Sequence, residues 1–169
     1  MAVERKPLPT GAVIRLPTGF CCQITGEPLG EGGGSLIYPV VRARVEKDGV
    51  RREAMHYALK ECFPISEKYR FMRDETGCIV PSVRQEEGRS FLASVQEMQC
   101  RESEITSHIY NAASRMVPVL ESAKEISVCT NGRDFHTVKN TVTIMESLTQ
   151  KGMAVRDFIR ENKRGVNAI

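Results

Sequence analysis

Apolar residues recur in three different rhythms along this chain. Up to about residue 60 they come as short runs cut by glycine and proline. Phe20, Cys21, Cys22 and Ile24 predict a short strand. Leu36, Ile37, Tyr38, Val40, Val41, Ala43 and Val45 predict a longer one, rich in β-branched residues. Proline donates no N–H, so Pro39 inside this run predicts an edge position or a bulge. Lys47-Asp48-Gly49 predicts a hairpin turn into a second strand that ends in Tyr57-Ala58-Leu59-Lys60. From residue 91 to about 113 neither Pro nor Gly occurs, and Leu92, Val95, Met98, Glu102, Ile105, Ile109 and Ala112 recur every three to four residues. This spacing predicts a long helix with those side chains on one face and Ser90 as its N-cap.

Between these regions the pattern is less regular. Residues 1–19 hold three Pro and two Gly and read as an extended lead-in. Pro64, Gly77, Pro81 and Gly88 break residues 62–90 into a loop or insertion, with a small hairpin around Cys78-Ile79-Val80. After the helix, residues 117–120 predict a strand, with 126–129 as its extension or partner. A turn follows at Asn131-Gly132, then a strand over 137–145. Beyond the Lys151-Gly152 break, Val155, Phe158 and Ile159 share one face of a short helix over 153–162. The order is strand, glycine loop, strand, strand, helix, strand, strand, linker, helix. It predicts an α+β chain, a mostly antiparallel sheet with one long helix against it.

Composition narrows the classes. The 169 residues suit one ordinary domain, and 41% hydrophobic with 27% charged residues suits a folded globular chain. A net charge of +3, with acidic residues among the basic ones, does not argue for nucleic acid or an anionic membrane. No run approaches the ~20 apolar residues of a membrane-spanning helix. The charged start, with Glu4, Arg5 and Lys6, does not read as a secretory signal. The cysteines at 21, 22, 62, 78, 100 and 129 include no CxxC pair. That spacing favours free thiols over a zinc site or a disulfide framework and fits a cytoplasmic location.

The candidate chemistry starts at Leu29-Gly30-Glu31-Gly32-Gly33-Gly34-Ser35-Leu36-Ile37-Tyr38. Glycines let a backbone approach phosphate closely and turn its N–H groups inward. No Gly-Lys-Ser/Thr follows, which sets a P-loop aside. A strand follows instead of a helix, which sets a dinucleotide fold aside. A glycine loop between antiparallel strands asks for a lysine on the next strand, and Lys60 stands there with the small Ala58 two residues before it. A lysine in an apolar setting needs a carboxylate partner. Glu102 and Glu104 are the candidates; they lie about 200° apart around a helix, and Glu102 shares its face with Ile105 and Ile109. Last, Met145-Glu146-Ser147-Leu148 ends an apolar strand in a form suited to binding adenine through its backbone.

In this order the pieces resemble the amino-terminal lobe of the protein kinase superfamily, over residues 24–162. The bacterial, Firmicutes-type serine/threonine kinases are most similar, on the run Gly30 to Val40, on Leu59-Lys60-Glu61-Cys62-Phe63-Pro64, and on the insertion before the helix. The resemblance implies a kinase-like N-lobe: an antiparallel β-sheet with a long αC-type helix, then a hinge and the start of a helical lobe. It divides the chain into the lead-in over 1–19, the lobe over 20–148 and a post-hinge helix over 149–169. It implies ATP as ligand, with Gly30, Gly32 and Gly33 over the phosphates and with Leu29 and Ser35 among the nucleotide-binding residues. Ile37 and Ala58 would lie against the adenine, and Lys60 would be paired with Glu102. Met145 would be the gatekeeper, and Glu146 and Leu148 the hinge contacts.

Ser35 departs from the pattern, standing where most kinases have a third glycine. No His-Arg-Asp or Asp-Phe-Gly motif occurs; Arg133-Asp134-Phe135 and Arg156-Asp157-Phe158 stand in the wrong places. The general base and the Mg2+ ligands are thus expected only in a further lobe. Two expectations remain open: a fragment of a serine/threonine kinase acting on a protein substrate, or a non-catalytic nucleotide-binding or regulatory module.

Overall fold

Two long strands flanking Asp48-Gly49 are the spine of the protein. The computed structural model describes residues 5–83, 86–113 and 119–147. In chain order these form β1 (Val13–Arg15), β2 (Cys21–Ile24), β3 (Gly30–Glu31), β4 (Ser35–Glu46), β5 (Gly49–Cys62), β6 (Phe71–Arg73), β7 (Ile79–Pro81), α1 (Glu86–Ala113), β8 (Val119–Ala123), β9 (Ile126–Cys129), β10 (His136–Val138) and β11 (Val142–Glu146). β4 and β5 form the central hairpin, turning through Gly49 at a φ of 137°. The main sheet runs β10-β9-β1-β2-β4-β5-β11-β8, with β3 added beside β4, and every pairing is antiparallel. β6 and β7 form a separate hairpin.

This architecture corrects the expected kinase-like N-lobe. The predicted order had five strands; the main sheet has nine. Residues 117–120 and 126–129 were expected as one strand or a neighbouring pair. Instead β8 is one edge of the sheet, and β9 lies six strand steps away, beside β1. A flat sheet would separate them by roughly 29 Å at ~4.8 Å per strand. Only Lys124 and Glu125 connect them, and a three-residue step spans about 10–11 Å at most. The sheet must therefore curl until its two ends approach. Thr18, in the turn between β1 and β2, donates to Glu121 of β8 at 2.6 Å across that seam. The result is a curled antiparallel half-barrel with one helix. The post-hinge helix expected over 149–169 lies outside the described residues.

The core fills the inside of the curl. Ile14, Cys22, Ile24, Leu36, Tyr38, Val40, Leu59, Ala123, Ile126, Val128, Val142 and Ile144 belong to one buried cluster drawn from seven strands of the sheet. The segment expected as a lead-in takes part: Leu8, Ala12, Val13, Ile14 and Leu16 are buried, and β1 pairs on both sides. Proline and glycine there mark turns between packed pieces, not a tail. Pro39 also differs from expectation, since β4 is central. The Pro39 carbonyl accepts from Thr25 N, and the N and C=O of one strand residue point the same way. Its missing N–H therefore faces the gap between the end of β2 and the start of β3, where no strand residue needs it.

α1 begins at Glu86, so Ser90 is inside the helix and not its cap; its carbonyl accepts from Ser94 Oγ at 2.9 Å. Gly88, expected to break the chain, lets α1 close on β7: a Cβ there would sit 3.2 Å from Pro81 Cβ. Among the described residues, no helix is long and apolar enough to cross a membrane.

A polar network ties the 62–90 insertion to the sheet. Glu61 is fully buried, yet it accepts from both terminal nitrogens of Arg73 (2.9 and 2.7 Å), from Tyr38 Oη (2.8 Å) and from Asn140 Nδ2 (3.0 Å). Asn140 also bonds Gly77 O and Ile79 N, and Arg73 donates to Lys6 O. β6, β7 and the amino-terminal segment are thus gathered around one carboxylate. Removing one partner of such a pair leaves an uncompensated charge. Arg73→Met is expected to lower the unfolding free energy by about 3–5 kcal/mol in urea titrations, and Arg73→Met with Glu61→Gln to recover part of that loss.

Candidate functional site

Strand alternation decides which side chains share the outer face of the curl. On β5, Tyr57, Leu59 and Glu61 are buried, while Ala58 and Lys60 are half-buried on the opposite side. Residues directly opposed across antiparallel strands lie on the same face. Gly30 of β3 opposes Ile37 of β4, Ile37 opposes Lys60, and Lys60 opposes Thr143 of β11. In the next row Pro39 opposes Ala58, and Ala58 opposes Met145. The register thus brings Ile37, Ala58, Lys60 and Met145 together on three adjacent strands, with the glycine segment at one end.

α1 lies over the Lys60–Thr143 end of this face. Lys60 Nζ is 2.9 Å from Glu102 Oε2, with side-chain exposures of 22% and 64%. Glu104 instead lines a groove between α1 and β8, with Glu97, Cys100, Ser107 and Lys124. Leu92 of the predicted apolar face is buried in the core, but farther along α1 the face turned to the sheet departs from the predicted one. Met98 and Ile105 are 66% and 58% exposed, while Gln99 and Ser103 are buried. The reason is Thr143 beneath the helix. Its Oγ1 receives Gln99 Nε2 at 3.2 Å and lies 3.0 Å from both Ser103 Oγ and Ser122 Oγ. Gln99 Nε2 also donates to Lys60 O at 3.2 Å. Seating Gln99 and Ser103 inward rotates the helix by about one residue from the apolar reading. It still leaves Glu102, beside Ser103, within reach of Lys60. The spacing of Gln99 and Ser103 carried this signal, but a search for apolar periodicity passes over it.

The glycine segment is a tight β3–β4 hairpin. Leu29 N donates to Ile37 O at 2.7 Å, and Gly32 N to Ser35 O at 3.0 Å. The chain just after β5 stitches it down, with Phe63 N on Gly34 O (3.0 Å) and Ile65 N on Gly33 O (2.7 Å). The fold itself does not ask for glycine here. None of Gly30, Gly32 and Gly33 has a positive φ, a Cβ at Gly30 or Gly33 would meet nothing within 4 Å, and one at Gly32 only its neighbour Ser35 at 3.8 Å. Ser35, the residue in the third-glycine position, is buried at the start of β4.

Other sequence candidates stand apart. Glu146 ends β11 opposite Tyr57, with its side chain exposed. Leu148 lies outside the described residues, as does Arg156-Asp157-Phe158. Arg133 and Asp134 sit in a turn whose amides both donate to Asn131 Oδ1 at 2.9 Å, between β9 and β10. All six cysteines are free thiols, and burial pushes the Cys62 thiol up to about 12, so it stays protonated. Among the described residues, no group of three or more His, Cys, Asp or Glu side chains could hold a metal ion.

The site therefore offers a tethered ammonium, a shallow apolar strip with a small residue at its middle, and a glycine hairpin beside them. The helix seat can be tested directly. Thr143→Val keeps the shape but leaves three polar partners short of a bond, so it is expected to cost about 1–3 kcal/mol of stability. Amide hydrogen exchange within residues 99–103 of α1 is expected to quicken. No protein-family model matches this chain, and no curated protein or solved structure matches it either.

Proposed function

We propose that the outer face of β4, β5 and β11 binds ATP. The observation that carries the reading is the row Gly30–Ile37–Lys60–Thr143 with Glu102 closing on Lys60. The ion pair is too exposed to be a strong structural element, since pairs of this kind are worth about 0–1 kcal/mol. Its value lies in holding an ammonium at a fixed place beside a hairpin whose glycines the fold does not require. The phosphates would be held by Lys60 and by the hairpin at Gly30, Gly32 and Gly33. The base would lie on Ile37, Ala58 and Met145, where the small side chain of Ala58 leaves room for a flat ring. The reaction such a site would serve is phosphoryl transfer to a protein hydroxyl, as in a serine/threonine kinase. A general base and Mg2+ ligands for that step would come from outside the described residues.

Binding to the native state raises its stability. ATP at a hundredfold excess over its Kd is expected to raise the thermal midpoint by roughly 5–10 °C. Lys60→Met is expected to abolish this shift while changing the ligand-free stability by no more than about 1 kcal/mol. Glu102→Gln is expected to shrink the shift, and Glu104→Gln to leave it intact. An unchanged midpoint in millimolar ATP would overturn the reading.

A further inference from the structure

We infer that Arg5, in the segment the sequence marks as a lead-in, is a positioning residue for the glycine hairpin. The inference rests on the ATP-site reading and adds a residue that no motif points to. Arg5 is buried, and its Nη1 lies 2.7 Å from Phe63 O, 3.0 Å from Gly32 O and 3.3 Å from Ser35 O. One guanidinium nitrogen therefore joins both ends of the hairpin turn to the chain that follows β5.

The consequence follows from peptide geometry. In a planar trans peptide the N–H of one residue points opposite to the C=O of the residue before it. No cis peptide bond occurs among the described residues. Arg5 holds the carbonyl of Gly32, which turns the Gly33 N–H the other way. Ile65 N holds the carbonyl of Gly33, which turns the Gly34 N–H the other way. The carbonyls at 32, 33, 34 and 35 all have partners within the protein: Arg5 for 32, Ile65 N for 33, Phe63 N for 34, and Gly32 N with Arg5 for 35. Carbonyl oxygens would repel a phosphate, and amide hydrogens attract it. By occupying the carbonyls of 32 and 35, beside Ile65 N on 33 and Phe63 N on 34, Arg5 helps set the polarity of the hairpin toward an anion. A flexible run of glycines has many other orientations open to it, so this holding contact determines whether the hairpin is ready to bind.

The test compares ATP with adenosine on the full chain, together with amide hydrogen exchange in the absence of nucleotide. Arg5→Met is expected to weaken ATP binding by about tenfold, as loss of charge-assisted hydrogen bonds does, with adenosine binding unchanged. Arg5→Lys keeps the charge and is expected to recover part of that loss. ATP binding that is unchanged in Arg5→Met, or that falls by the same factor as adenosine binding, overturns the inference. If the unaltered chain binds neither ligand, the ATP reading fails by itself, and exchange decides the role of Arg5. About tenfold faster exchange at Ile65 N–H in Arg5→Met, with Leu59 N–H unchanged, supports the holding contact. Unchanged exchange at Ile65, or equal acceleration at Leu59, overturns it.

Discussion

The short link between β8 and β9 is the constraint on which the rest of the structure depends. Two residues join strands that stand six steps apart in the sheet. No flat arrangement satisfies that link, so the sheet curls and gains an inside and an outside. The inside collects the large apolar side chains of β1, β2, β4, β5, β8, β9 and β11 into one core. The outside is left with alternate residues that need not be apolar, and it is there that Ile37, Ala58, Lys60 and Met145 share a surface.

Curling also explains why so much polar bonding is buried. The curl leaves an amino-terminal segment and a β6–β7 hairpin to be packed against it, and backbone groups at such junctions need partners. Glu61, Arg73, Tyr38 and Asn140 supply them at one junction, and Arg5 at another. Burial and the Glu61 carboxylate push the Tyr38 hydroxyl upward, so it remains a donor. No buried side-chain nitrogen or oxygen among the described residues lacks a hydrogen-bond partner. These networks connect segments far apart in the chain, so the glycine hairpin, the insertion and the amino-terminal segment are mechanically joined.

The helix shows how a polar seat places a functional pair. Thr143 accepts or shares bonds with Gln99, Ser103 and Ser122, which fixes the rotation of α1. That rotation exposes Met98 and Ile105 and keeps Glu102 beside Lys60. A helix seated on apolar contacts alone could slide or turn at little penalty. A shared hydroxyl with three directional partners has fewer equivalent positions.

Local chemistry in the sequence was enough to determine several parts of this protein. Asp48-Gly49 specifies the central hairpin because its turn tolerates positive φ. The alternation around Leu59 specifies which β5 side chains are buried. The order glycine segment, Lys60, Glu102 and Met145 points to one surface, and strand register does bring Ile37, Ala58, Lys60 and Met145 onto it. Only the tertiary structure decided the rest. Whether β8 and β9 are neighbours or stand near opposite edges of a curl depends on pairings with β11 and β1, about 20 and more than 100 residues away along the chain. The choice of Gln99 and Ser103 over Met98 and Ile105 depends on a threonine beneath them, and the place of Arg5 depends on carbonyls at 32, 35 and 63. Local propensity carries no information about such partners, because each contact exists only after distant segments have met.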